Sequence, residues 1–244
     1  NAPGGGNALS CAMLTSLNDL LQRVALCEDI RVVVLRGMGA QFSTGLDLDD
    51  FSHAVAHDVP RARTALDCLH QWRSRLLAIQ PQPVIGVVQG ACHGAAVKLI
   101  EGCDMVLADE SAEFMLTAAD APLLACHPAC VPGPAWMPAT CLAELQAPGR
   151  QVLSVEAEAT GLITLACAAD TLAQEVHDLT RSLAEKDRLA LQFTKETVAH
   201  VGTMRWDAAV NFTAAKFAEL KSRQAGSAVR RKLSPHRLRT FEPD

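Results

Sequence analysis

The residues that could do chemistry gather around Gly90–Asp104, GACHGAAVKLIEGCD. A turn of small residues, the kind that lets a backbone approach a ligand closely, runs into an apolar, helix-like segment. One turn inside that segment sits Lys98. Desolvated, a lysine there could serve as a base or form a Schiff base. A structural lysine paired with a neighbouring acid is the commoner outcome. Asp120 is a second candidate proton carrier, weighed against an ordinary surface aspartate. Cys92-His93 and Cys126-His127-x-x-Cys130 invite a metal reading, but their spacing matches no paired CxxC zinc pattern, so no metal is expected. Asp47, Asp49 and Asp50 read as a solvated acidic loop rather than a Mg²⁺ site, which needs ligands converging from elsewhere.

Alternating strand and helix patterns must position these groups. Residues 9–26 place Met13, Leu17, Leu20, Leu21 and Val24 at helical spacing. IRVVVLRG (30–37) is short, β-branched and apolar on both faces, which predicts a strand buried on both sides. The Gly- and Asp-rich stretch MGAQFSTGLDLDDF reads as a loop. Residues 61–79 form a second amphipathic helix, with Leu66, Leu69, Trp72 and Leu76 on one face and arginines on the other. PQPVIGVVQG reads as strand then turn, residues 95–102 as helix, and DMVLADES and AEFML as two short strands. The six prolines between Ala121 and Pro148 predict irregular structure. Three helices follow, over 170–186, 187–201 and 206–221. There is no internal repeat and no linker that marks a separate domain.

Composition narrows the function classes. The chain has 244 residues, 49% hydrophobic and 20% charged, as in a globular protein with a real core. No apolar run approaches the roughly 20 residues that cross a bilayer. A net charge of −5 argues against general nucleic-acid binding, despite a basic C-terminal end from Lys221 to Arg239. The chain has no tyrosine, seven Phe and three Trp, which leaves few stacking platforms for bases. Nine cysteines, scattered through apolar segments, read as reduced thiols of an intracellular protein. The start has no secretory apolar core, and NAPGGG reads as a turn at a cut or processed end.

Taken in order, NAPGGGNALS, DIRVVVLRGMGAQFSTGLDL, PQPVIGVVQGACHGAAVKLIEGCDMVLADESAEFML, ATGLI and LALQFTKE resemble the crotonase (enoyl-CoA hydratase/isomerase) superfamily over essentially the whole chain. QFSTGLDLDDF and GACHGAAVKLI look closest to its dienoyl-CoA isomerase branch. The resemblance implies an α/β fold: a crotonase spiral of ββα units over residues 1–165 and a C-terminal helical region of the trimerising type over 166–244. It also implies an oligomer, of like or other subunits. Its chemistry would use two backbone N–H groups as an oxyanion hole for an acyl-CoA thioester carbonyl. Matched residue by residue, these belong to Leu46 and Ala95. An acyl-CoA is thus the implied ligand, with no cofactor. A mitochondrial address follows from the family's usual habitat and the reduced cysteines.

The same match exposes departures. The family's proton-transferring carboxylates fall on Lys98, Ala118 and Cys126, none of which is an acid. A protonated lysine cannot accept a proton. The turn that should open a helix after the second carboxylate falls on HPACVPG (127–133), whose prolines fit a helix poorly. The expectation is a catalytically degenerate family member serving as a structural or acyl-CoA-binding subunit of a larger assembly. The alternative is an active hydratase, isomerase or decarboxylase that pairs the oxyanion hole with Lys98 or Asp120 as an unusual proton carrier.

Overall fold

The computed structural model describes residues 3–78, 80–115, 150–202 and 204–233. Ala118, Asp120, Cys126, the HPACVPG stretch and the rest of the proline-rich segment lie outside the described residues, as does the end of the basic tail.

The first helix, α1 (Cys11–Ala25), starts where Ser10 accepts a hydrogen bond from the Met13 N–H, a side-chain N-cap. It buries Cys11, Leu14, Asn18 and Leu21, an i, i+3/i+4 stripe, against the body of the protein. At its far end the buried Gln82 amide donates to Val24 O and Cys27 O, which occupies carbonyls that a helix end leaves open.

Strand β1 (Val33–Arg36) alternates half-buried with exposed residues, so the expected strand buried on both faces is corrected here. It lies at the end of the described part of its sheet, with one flank covered. The fully buried strand is β2 (Val84–Val88), whose run VIGVV reads that way because both faces are covered. After β2, Gln89 and Gly90 carry the chain into a second sheet as β3 (Ala91–His93). The chain then makes the short helix α4 (Ala95–Ile100) and returns to the first sheet as β4 (Met105–Asp109). It crosses again as β5 (Glu113–Met115). Each turn thus leaves one strand in each sheet, and two such passes frame α4.

Past the undescribed segment come β6 (Gln151–Leu153), α5 (Ser154–Ala159) and β7 (Leu165–Cys167). Among the described residues the first sheet runs β1-β2-β4-β7, all parallel, and the second runs β3-β5-β6. Two more helices pack beside this core. α2 (Leu48–His57) begins inside the stretch read as an acidic loop, and α3 (Val59–Ala78) follows at once. Asp47 caps α2 by accepting from the Asp50 N–H. Asp50 accepts from the Cys11 N–H at 2.8 Å and pairs with Arg61 at 2.5 Å, which ties the starts of α1, α2 and α3 together. Two of the three aspartates thus have structural partners, and the loop reading gives way to a helix start.

Helix α6 (Leu172–Glu185) sets Leu172, Val176, Leu179 and Leu183 against Ile85, Val87 and Leu107 of the first sheet. β7 and α6 complete the parallel sheet and its cover, within a first compact unit that runs from Asn1 to Lys186. The second unit, Asp187–Asp244, holds α7 (Arg188–Val201) and α8 (Trp206–Leu233). α8 continues well beyond the predicted end at residue 221. Between these two helices Lys216 reaches Glu196 at 2.8 Å and lies 5.0 Å above the Phe193 ring. No helix among the described residues is long and apolar enough to cross a membrane.

Candidate functional site

Three stretches that are far apart in sequence lie side by side. The opening segment is held on residues 38–47: the Asn7 amide donates to Met38 O and Gln41 O, and Thr44 N donates to Gly6 O. Leu9 N donates to Gly45 O and Asp47 N to Leu9 O, a short parallel bridge between Leu9 and Leu46. The other edge of the 41–46 stretch pairs with the turn around β3. Phe42 N donates to Gln89 O, Ser43 N to Ala91 O, and His93 N back to Ser43 O. Gly94 N then donates to Met115 O of β5 at 2.7 Å.

The register places Ser43 opposite Cys92. Leu46 and Ala95, the two positions whose amides the resemblance implies as oxyanion donors, each lie three residues past that bridge in sequence. Both residues are buried, at 5% and 0% exposure. Each follows a glycine of positive φ, Gly45 at +99° and Gly94 at +54° with ψ −122°. A peptide plane is oriented by the dihedrals of the residue before its nitrogen. Only glycine enters these regions without strain, so both amides are set by backbone turns that a side chain would resist. Amides held by the backbone in this way need no reorganisation when charge develops nearby.

One helical turn past Ala95, the side chains tell a different story. Lys98 Nζ lies 3.2 and 3.3 Å from the two carboxylate oxygens of Glu101. The lysine side chain is 15% exposed and the glutamate 3%. Position 98 therefore carries a cation whose charge is matched within the same helix. Glu101 escaped the reading of candidate residues, although an opposite charge at i+3 on one helix face was visible in GACHGAAVKLIEGCD. Trp72 of α3 holds this end of α4 by donating its indole N–H to Leu99 O at 2.9 Å.

Two buried cysteines, Cys92 and Cys11, are held away from ionisation. Burial drives the Cys92 thiol well above its usual range, and neighbouring Cys103 and Glu101 push in the same direction. Burial, together with the Asp50 carboxylate, raises Cys11 to about 11. A thiol so far from ionising is neither nucleophile nor ready metal ligand. Among the described residues no group of three His, Cys, Asp or Glu could hold a metal ion. The fold thus sets Ala95 and Lys98 on α4 and ties the segment that leads to Leu46 to β3 through the Ser43–Cys92 bridge, while Asp120 lies outside the described residues.

A family model described as enoyl-CoA hydratase/isomerase matches residues 1–232. The chain is similar to the mitochondrial enoyl-CoA hydratase domain-containing protein 3 of Danio rerio, 28% identical over 198 residues, 80% of this chain and 66% of that protein. It is similar to the mitochondrial Delta(3,5)-Delta(2,4)-dienoyl-CoA isomerase of Rattus norvegicus, 31% identical over 132 residues, 51% of this chain and 40% of that one. The chain thus spans slightly less than two thirds of the first of these relatives and well under half of the second. Among solved structures, its fold resembles an enoyl-CoA hydratase from Bacillus anthracis with a TM-score of 0.77 at 22% identity, over 93% of this chain and 90% of that one.

Proposed function

The chain belongs to the enoyl-CoA hydratase/isomerase family, and from that premise we propose that it binds acyl-CoA thioesters through the Leu46 and Ala95 amides without performing the family's carboxylate chemistry. The observation that carries this reading is the Lys98–Glu101 pair. Where the resemblance calls for a proton-accepting carboxylate, the chain has an ammonium already held by an acid one turn on. Glycines of positive φ precede both Leu46 and Ala95, which supports a retained capacity to hold a thioester oxygen, while position 98 carries no carboxylate. Such a protein acts as a binding or structural subunit in an oligomer. A mitochondrial setting is supported by relatives such as the mitochondrial Danio rerio protein.

The test is calorimetric titration with butyryl-CoA and crotonyl-CoA, beside a spectrophotometric assay of crotonyl-CoA hydration. The expected result is saturable binding with no turnover, and binding weakened about tenfold in Ala95→Pro, which removes one N–H donor. Hydration or double-bond isomerisation abolished by Ala95→Pro would establish the second reading, an active enzyme. That reading draws support from the same retained turns, and it would route the proton through Asp120 or Lys98. Lys98→Met with undiminished turnover would leave Asp120.

A further inference from the structure

We infer that Glu101 sets the charge selectivity of this site by masking Lys98, so that the site takes uncharged acyl groups and rejects those bearing a carboxylate. The inference rests on the acyl-CoA reading above and adds a residue to it.

Glu101 is 5% exposed as a residue and its side chain 3%, so its ionised form requires a matching charge at contact distance. Lys98 supplies it, with both carboxylate oxygens within 3.3 Å of Nζ. The pair lies at the far end of α4, the helix that begins at the Gly94–Ala95 turn. Ala95 and Lys98 are three apart on α4 and share a face. An unmasked ammonium there would attract a second carboxylate carried by an acyl chain. With Glu101 in place, position 98 offers no net charge. An incoming carboxylate would have to displace Glu101, leave it buried without a partner, and approach against its repulsion. Glu101 is thus a positioning residue: it acts on a ligand through Lys98.

The experiment compares butyryl-CoA with succinyl-CoA by calorimetry on the full chain, in the wild type, in Glu101→Gln and in Glu101→Gln/Lys98→Met. The wild type is expected to bind butyryl-CoA at least about tenfold more tightly. Glu101→Gln, which keeps the side-chain volume, should shift that ratio toward succinyl-CoA by at least about tenfold, and the double variant should undo the shift. An unchanged ratio in Glu101→Gln overturns the inference. So does a shift that survives Lys98→Met. A second measurement needs no acyl-CoA: acetylation of lysines by acetic anhydride, followed by mass spectrometry. Lys98 should react about tenfold more slowly than the exposed Lys186 and Lys221 in the wild type and gain that factor in Glu101→Gln. Labelling of wild-type Lys98 at the surface rate overturns the inference even if Glu101→Gln fails to fold. If no acyl-CoA binds any form but Lys98 is protected as stated, the binding function fails and the masking by Glu101 stands.

Discussion

Of the lysine–glutamate pairs among the described residues, Lys98–Glu101 in the first compact unit and Lys216–Glu196 in the second differ in setting. Lys98–Glu101 joins a short helix to its own C-cap residue, with the lysine side chain mostly and the glutamate almost wholly out of water. Lys216–Glu196 joins two helices, and about a fifth of each side chain remains exposed. Lys216 also contacts Glu219 and lies above the rings of Phe193 and Phe212, at 5.0 and 5.9 Å. The first pair sits where the resemblance calls for catalysis, and its glutamate has almost no solvent to fall back on. The second fastens a helical hairpin, with water and aromatic faces sharing the charge. The same two residue types thus form an internal substitute for a functional group in one place and an interhelical clamp in the other. Burial decides which.

The largest effect should come from breaking the buried pair on one side only. Lys98→Met strands the Glu101 carboxylate and is expected to cost about 3 kcal/mol in urea unfolding, the lower part of the range for a fully buried pair because Lys98 keeps some exposure. Lys98→Met/Glu101→Leu removes both charges and should return to within about 1 kcal/mol of the wild type. Equal losses in the single and double variants would make the pair's charges irrelevant and collapse the contrast with the hairpin.

Lys216→Met should cost less, about 1–2 kcal/mol, the sum of a partly exposed ion pair and its cation–π contacts. A loss as large as that of Lys98→Met would show that exposure does not separate the two pairs.

The smallest effect is in the pH dependence of the hairpin pair. Burial pushes the Glu196 carboxyl up, but hydrogen bonds from Lys216 and Gln192 and the Lys216 charge bring it below its ordinary 4.5 overall. Its stabilisation is therefore complete above that value and is lost as the pH falls through the lower folded value. Lys216 is raised above its ordinary 10.5, first by its hydrogen bond to Glu196. Its contribution is complete below 10.5 and is lost as the pH rises through the higher folded value. Thermal unfolding should show this pair's contribution flat from about pH 5 to 10 and fading at both ends. Glu196→Gln should remove the acid limb; an acid limb of unchanged size would assign it to other carboxylates, such as Asp50, which the Cys11 N–H and Arg61 hold below the usual range.

Much of the architecture was legible in the sequence because periodicity reports burial. The helices around Leu14, Leu69 and Leu179 and the strand VIGVV follow from which residues avoid water. The misses have local causes. β1 looked buried on both faces because Val-rich runs carry strand propensity whether or not a neighbour covers them. α2 was hidden because Asp47, Asp49 and Asp50 suggest a loop, yet aspartates are also what a helix start uses. β3 and β6 are three residues each, too short for any period to register. At the site, Lys98, Leu46 and Ala95 could be named from spacing and resemblance, and the glycines before both amides were in plain view. Glu101 was passed over because, in sequence, it is one more charged residue on a helix.

What the sequence by itself determined is the family, the order of the ββα passes, and the absence of an acid at position 98. Those depend on residue identity and on periods of two and 3.6, which a chain carries without folding. Only the tertiary structure decided that the opening segment, residues 41–46 and the Gly94 turn lie edge to edge, with Ser43 opposite Cys92. It also decided that Lys98 spends its charge on Glu101. Register and burial are properties of what packs against a residue, and chain spacing alone does not contain them.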